Sequence, residues 1–311
     1  MMDVVDEARG RWPTLLAQLG VDEKFLKKKN GPCPFCGGKD RYRFTDHEQR
    51  GMWWCNTCGT GDGFELLKRL NGWSFVEAKD EIRRIIPGVH VVRDDQAANR
   101  ARAVAALNRL RQEAVPAAEV PEVVAYLHGR GLEVPPGLEA HPELPYYDGG
   151  KEIGRFPAML GRVRLASGRP VTYHRTYVLN GKKAPVPSPR KMMRPPASAK
   201  GGAIRLWPVD DVLGIAEGIE TAIAASILWG CPVWSVVCAN GLTEFDVPRG
   251  VSEVVVFGDR DESFTGQAAA FAAAKRFVLG LKIKAKVRIP WDSDDWNEFL
   301  CSGRRVVTDT A

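Results

Sequence analysis

Four cysteines fall as Cys33-x-x-Cys36 and Cys55-x-x-Cys58 in a chain of 311 residues. Each pair sets two thiolates on one tight turn, and two such turns facing each other supply the four tetrahedral sulfurs of a structural zinc site. A second set of residues is acidic: Glu217, Asp259 with Asp261, and Asp294 with Asp295, each placed beyond a short β-branched run. Carboxylates gathered at strand ends repel one another unless a divalent cation joins them. Magnesium, which takes a few carboxylates together with substrate phosphates, is the expected ion. A third set is basic. Thirteen Lys and Arg lie between Lys151 and Leu206 against the single acid Glu152, so this segment carries +12 in a chain of net charge +6. Such a concentration suits the phosphates of nucleic acids or nucleotides. Each feature alone has a plainer reading. Glu217 is well placed as the acid of a helix N-terminus, Asp259-Arg-Asp261 as a solvated turn, and the basic run as a solubilising face. Acids on successive strand ends, together with that run, favour the metal site.

The elements that hold these residues are legible from periodicity. Apolar positions at Val4, Val5, Ala8, Trp12, Leu15, Leu16 and Leu19 predict a helix over 4–19 that stops at Gly20. Arg41-Tyr-Arg-Phe44 and Met52-Trp-Trp-Cys55 predict short strands about an Asp46 to Gly51 turn, the outline of a zinc ribbon. A short helix over Phe64 to Leu70 follows, and the capping box Ser74-Phe-Val-Glu77 opens another that ends before Pro87. The Ala- and Arg-rich run from Asp94 to Glu113 predicts a connecting helix. Arg162 to Leu165 and Pro170 to His174 predict a hairpin, and the proline-rich 184–202 an extended loop. Strands over Val212 to Ala216, Val233 to Ala239, Val254 to Phe257 and Ala285 to Ile289 alternate with helices over Gly218 to Leu228 and Gly266 to Leu279. That alternation predicts a parallel sheet, at whose carboxyl edge ligands bind.

The expected fold is therefore α/β, or α+β overall: a four-cysteine ribbon with flanking helices, then a parallel α/β core. Four segments are expected, namely the ribbon domain 1–90, a helical connector 91–145, a basic β-rich subdomain 146–206 and a catalytic domain 207–311. Cys231, Cys238 and Cys301 sit in apolar surroundings and read as small buried hydrophobes. His47 is left out of the zinc site because four sulfurs close the shell. Reduced cysteines with zinc fit the cytoplasm. No apolar run approaches the roughly 18 residues of a membrane span, and the N-terminus has no signal-peptide pattern. No Gly-x-x-x-x-Gly-Lys-Ser/Thr loop is present to serve a motor, so this chain is not expected to unwind duplex.

Ala216-Glu-Gly-Ile-Glu-Thr-Ala222, Phe257-Gly-Asp-Arg-Asp261 with Gly266-Gln-Ala-Ala-Ala270, and Asp295-Trp-Asn297 together resemble the Toprim domain of bacterial-type primases carried by bacteriophages and mobile elements. The segment from Gly31-Pro-Cys-Pro-Phe-Cys-Gly-Gly38 to Trp54-Cys-Asn-Thr-Cys58 is similar to the zinc-binding domain that precedes it in those proteins. Arg175-Thr-Tyr177 and Ala184 to Met192 look like the segment they carry ahead of Toprim. The resemblance implies synthesis of short RNA primers on single-stranded DNA. It would place Glu217 near the attacking 3′-hydroxyl, with Asp259 and Asp261, and less directly Asp295, holding catalytic magnesium or manganese. Arg175, Arg190, Lys191 and Arg194 would take the nucleoside triphosphates. Lys39, Arg41, Arg43 and Trp54 on the ribbon would hold template, whereas ribbon packing is the commoner role for at least one of Trp53 and Trp54. One departure stands out: Arg260 sits between the two metal acids where relatives often carry a neutral residue. A Toprim nuclease would use the same acids without a triphosphate cradle or a template-reading ribbon. A non-catalytic single-strand-binding factor would not keep all three acids, and a type IA topoisomerase needs a longer chain for its gate.

Overall fold

The computed structural model describes residues 3–89 and 96–303. Residues Met1–Gln96 and Ala97–Ala311 form two compact units. The start expected for the connecting helix at Asp94 lies outside the described residues.

In the first unit the expected helix over 4–19 is two helices, α1 (Val4–Glu7) and α2 (Trp12–Gln18). The break falls at Gly10, whose φ of +75° lies in the left-handed region that ends a helix. Four antiparallel strands follow in spatial order: β1 (Gly31–Cys33), β2 (Gly37–Phe44), β3 (Trp53–Cys55) and β4 (Gly59–Gly61). The alternation of β2 sends Tyr42 and Phe44 inward, where Tyr42 stacks with Trp53 at 6.0 Å. Helix α3 (Gly63–Asn71) starts at Asp62, whose carboxylate accepts from the Glu65 amide at 3.0 Å. Helix α4 (Phe75–Ile85) is closed by the expected capping box, with Ser74 and Glu77 bonded reciprocally at 3.2 and 2.7 Å. Trp12, Leu15, Leu16, Phe64, Leu67 and Ile82 fill one core beneath the ribbon.

The second unit holds α5 (Gln96–Glu113) from its second residue onward and continues through β5 (Val115–Pro116) and α6 (Pro121–His128). An antiparallel region follows: β6 (Glu139–Asp148), β7 (Lys151–Arg164), β8 (Pro170–Leu179), β9 (Lys182–Lys183) and β10 (Arg190–Met192). The stretch expected as an extended loop thus contributes one edge strand, since Arg190, Lys191 and Met192 pair with Thr176, Arg175 and His174. Next come β11 (Ala203–Ile204), β12 (Val212–Ala216), α7 (Ile219–Trp229), β13 (Val233–Ser235), α8 (Ala239–Glu244), β14 (Glu253–Phe257), α9 (Thr265–Arg276), β15 (Lys284–Arg288) and α10 (Trp296–Cys301).

Strands β13, β12, β14 and β15 form the expected parallel sheet. It is not a separate layer. The two-residue strand β11 pairs antiparallel with both β7 and β13, joining the basic hairpins and the parallel strands into one sheet with β7, β11, β13 and β12 as neighbours. Strand β13 ends at Ser235 rather than at Ala239, because Val237 turns to φ +74° before α8. Helix α9 ends at Arg276 and passes into a wider π-helical turn over Phe277–Leu281.

Side-chain alternation gives this sheet two chemically different faces. On one, Met159, Val163, Val178 and Ile204 pack against Ile219, Ala222 and Ile223 of α7 and against α6. Gly161 lies on that face, where a Cβ would come within 2.4 Å of Ile204 and 3.0 Å of Ile219, so a residue without a side chain lets α7 lie close. On the other face Leu144, Tyr146, Ala158, Leu160, Tyr173 and Tyr177 form a separate core with Leu110 of α5. A third core covers the far face of the parallel strands with Leu213, Ile215, Trp234, Val254, Val256 and Phe277.

Candidate active site and metal centres

The four cysteines converge. Their sulfurs all lie within 4.8 Å of one another, with Cys33 Sγ to Cys58 Sγ at 3.9 Å and Cys36 Sγ to Cys55 Sγ at 3.7 Å. Tetrahedral zinc with Zn–S bonds near 2.3 Å sets its sulfurs roughly 3.8 Å apart, so the geometry fits the ion. The turns are held from the backbone, since the Phe35 amide donates to Cys33 Sγ and the Cys58 amide to Cys55 Sγ. The ribbon's outward face carries the basic and aromatic residues expected there. Arg41 and Arg43 alternate with the buried Tyr42 and Phe44, and Trp54 stands opposite Arg43 and Thr60 in register. Lys39 is exposed on the same strand, and Arg41 donates to Thr57 Oγ1 at 3.2 Å. Of the two tryptophans, Trp53 is the packing residue: it is fully buried and donates to the Asp62 carbonyl at 3.1 Å.

In the second unit the acids sit where the parallel strands end. Ala216 of β12 and Phe257 of β14 are register partners, so Glu217 and Asp259 leave the sheet on neighbouring strands, about 4.8 Å apart by ordinary strand spacing. The Glu217 carbonyl is fixed by Ser235 Oγ at 2.8 Å. Asp261 is held more firmly. It accepts from the amides of Gly266 at 2.8 Å and Thr265 at 3.0 Å, and from the Ser263 hydroxyl. Gly266 has to be glycine, because a Cβ there would lie 2.6 Å from the Asp259 carbonyl and 3.1 Å from the Asp261 carboxylate. Asp295 caps α10 by accepting from the Glu298 amide at 2.8 Å, and the Arg260 amide donates to the Asp294 carbonyl at 2.7 Å, bringing that loop alongside β14. Arg260, the cation between the two metal acids, turns away and donates to the Trp291 carbonyl. The departure from the family pattern therefore leaves the acids without a competing ion pair from that side chain.

Asp259 is the anomalous group. Its Oδ1 is buried and has no hydrogen-bond partner. Burial, with Glu217, Asp295 and Asp261 close enough to repel its charge, pushes its pKa up to about 8. Glu217 is also raised, by burial first, with Arg190 opposing and Asp261 adding to the shift. Asp261 goes the other way: burial works against its charge, but the Ser263 hydroxyl and the Gly266 and Thr265 amides outweigh it and hold its pKa below the usual range. A buried carboxylate oxygen lacking any donor, inside a set of mutually repelling acids, is what a divalent cation would satisfy. Among the described residues only the cysteine quartet has three or more such donors close enough to surround an ion unaided. A divalent cation at the acids would therefore complete its shell from substrate and water.

The basic residues divide between the faces of the sheet. Arg190 pairs with Thr176 and so shares the face of His174 and α7, within electrostatic range of Glu217. Arg175 and Lys191, partners in register, turn to the opposite face, where Arg175 donates to Tyr177 Oη at 3.3 Å and Lys191 lies 4.0 Å from the Tyr146 ring centroid. Arg194 is exposed beyond β10. Residues the sequence reading passed over join the acid edge instead. Glu220 is buried on α7 and accepts from Tyr126 Oη at 2.7 Å, with Lys183 Nζ at 3.9 Å. Burial works against its charge, yet the Tyr126 hydroxyl, Lys183 and Arg190 more than offset that cost and hold its pKa below the usual carboxylate range. Burial pushes His174 down to about 4, so its ring is neutral at physiological pH. A lone acid in the mostly apolar run Ile219 to Ala225 was the available signal for Glu220.

Comparison with known proteins names three stretches of the chain. A family model of the zinc-binding domain of primase-helicases matches residues 28–64, and a Toprim domain model matches 212–305. A zinc-binding domain of the primase-helicase kind ahead of a Toprim domain is the order that the resemblance implied. Between them, residues 101–206 match a domain of unknown function, which covers α6, the basic hairpins and β11. Among solved structures, the primase fragment of the bacteriophage T7 primase-helicase is 16% identical with a TM-score of 0.38, covering 88% of this chain and 95% of that one. The zinc-binding and RNA polymerase domains of the Aquifex aeolicus primase are 13% identical with a TM-score of 0.43, covering 97% and 83%. The DnaG primase catalytic domain bound to single-stranded DNA is 13% identical with a TM-score of 0.43, covering 66% and 76%. Among the described residues no helix is long and apolar enough to cross a membrane.

Proposed function

We propose that this chain is a DNA primase that makes short RNA primers on single-stranded DNA by nucleotidyl transfer at the Toprim acids. The observation that supports this most directly is Asp259, whose partnerless buried oxygen stands beside Glu217 and Asp261 at the carboxyl edge of the parallel sheet. Asp259 and Asp261, with Asp295 beside them, would hold the catalytic magnesium or manganese, which would supply charge neutralisation at the transferring phosphate. Glu217, its pKa raised, would accept or share the proton of the attacking 3′-hydroxyl. Arg190 carries positive charge to the same edge, where nucleoside triphosphates bring negative charge. The protein works in the cytoplasm, on strands opened by a separate helicase or covered by a single-strand-binding protein. Incubation with labelled ribonucleotides, magnesium and mixed-sequence single strands is expected to yield short products that chelator abolishes. Degraded template in place of new strands would favour the nuclease reading.

The outward face of the ribbon is proposed to hold template. Trp54→Ala is expected to weaken binding to a single strand by about 1 to 3 kcal/mol, the scale of one stacked base. Lys39→Ala is expected to lower the slope of log affinity against log salt by about 0.7, as one lost phosphate contact does on single strands. Fluorescence titration at two salt concentrations measures both, and unchanged affinity in Trp54→Ala would put the template elsewhere.

A further inference from the structure

Glu220 is a buried charge that the transfer reaction described above does not use. It lies on the first turn of α7, three residues beyond Glu217, with Ile219, Ala222 and Ile223 buried around it. Its carboxylate is engaged by Tyr126 of α6 at 2.7 Å and by Lys183 of β9 at 3.9 Å, both from the domain of unknown function. A tie made only for stability would be served at least as well by packed apolar side chains, since desolvating ionic groups commonly costs as much as their attraction returns. Lys183 is not sealed in: about a third of its side chain, 35%, is exposed, and it lies within electrostatic range of Asp295, Arg130 and Arg190. Polar atoms in the same neighbourhood lack partners. His174 Nδ1, Thr176 Oγ1 and Arg130 Nε are all buried and unbonded, and Thr176 is the register partner of Arg190. Unsatisfied groups collected on one side of a row of acids point to a polar ligand that the protein alone does not supply.

We propose that Glu220 is a positioning residue: anchored by Tyr126, it holds Lys183 beside Arg190 and Arg130 so that Lys183 takes the phosphates of the incoming nucleoside triphosphate next to the Toprim acids. This rests on the primase reading. Glu220 itself does not touch the nucleotide, and its effect is transmitted by Lys183.

The test is a double-mutant cycle on the full chain. In Glu220→Gln the side-chain carbonyl still accepts from Tyr126 while the charge that holds Lys183 is gone. Glu220→Gln and Lys183→Met are each expected to raise the KM for nucleotides about tenfold with kcat within about twofold, the size of one lost charge-assisted hydrogen bond made equally in ground and transition state. The Glu220→Gln, Lys183→Met double variant is expected to be no worse than either single, because the two act through one contact. Binding of a fluorescent nucleoside triphosphate without template follows the same pattern, while affinity for single-stranded DNA stays unchanged. Additive effects, or a lower melting temperature with KM unchanged, overturn the proposal, as does a parallel loss of single-strand affinity, which would make this a site for backbone phosphate. Wild-type chain that binds no nucleotide sinks the primase reading as well. Nucleotide binding that neither substitution disturbs overturns the positioning role alone.

Discussion

Asp259→Asn is expected to lower primer synthesis by at least about 100-fold, the scale on which one preorganised electrostatic contact to a transition state counts, while leaving the fold intact. Asparagine fills the same space and removes an acid whose buried oxygen has no donor. The substitution also reports on the apoprotein. A free aspartate titrates near 3.9, whereas burial and the neighbouring acids push Asp259 up to about 8. Folding thus favours its protonated form. The associated stability is fully present below the unfolded value, and is lost as pH rises through the folded one. Asparagine cannot ionise, so in chelator the variant is expected to melt above wild type by a margin that widens from pH 5 to pH 9. Magnesium should raise the melting temperature of wild type and leave the variant nearly unmoved. Synthesis within a few-fold of wild type would refute the metal role, and a variant that melts no higher at pH 9 in chelator would refute the repulsive acid cluster.

How far the site could be read from the sequence depended on whether its information was local. The zinc quartet was legible because each Cys-x-x-Cys pair fixes its own turn, and the structure then has only to bring two turns together. The positions of Glu217 and Asp259 at strand ends were legible because each follows a short apolar run that alternates with helical segments, the pattern of a covered parallel sheet. The basic residues were not sorted by the same means. Arg175, Arg190 and Lys191 look alike in sequence, but a strand alternates its faces at every residue. Which cation shares the face of His174 and α7 was therefore decided by the register of β10 on β8, which sets Arg190 opposite Thr176 and Lys191 opposite Arg175. The union of the two sheet regions was hidden for a different reason: Ala203–Ile204 is too short to carry a periodic signal, yet it bonds to both β7 and β13. Val237 ended β13 early through its own backbone conformation, a feature that β-branched composition argues against.

Cys33→Ser combined with Cys36→Ser is expected to remove the zinc completely and with it most initiation on single-stranded template. Wild type should carry one zinc per chain by elemental analysis, because the four sulfurs already stand at tetrahedral spacing. Two serines leave only Cys55 and Cys58, and free energy that a small metal module draws from its ion is free energy of folding. The ribbon core built on Tyr42, Phe44, Trp53 and the ligand cysteines should then loosen. The second unit has its own cores and its own sheet, so the rise in melting temperature caused by magnesium should persist in the variant. All-sulfur ligation leaves no open coordination position, so on the proposed reading the zinc would take no part in the chemistry and its loss would act through template. Extension of a primer already annealed should accordingly fall far less than initiation from single nucleotides. Full zinc retention by the variant would disprove the ligand assignment. Equal losses of extension and initiation would show that the ribbon does more than hold template.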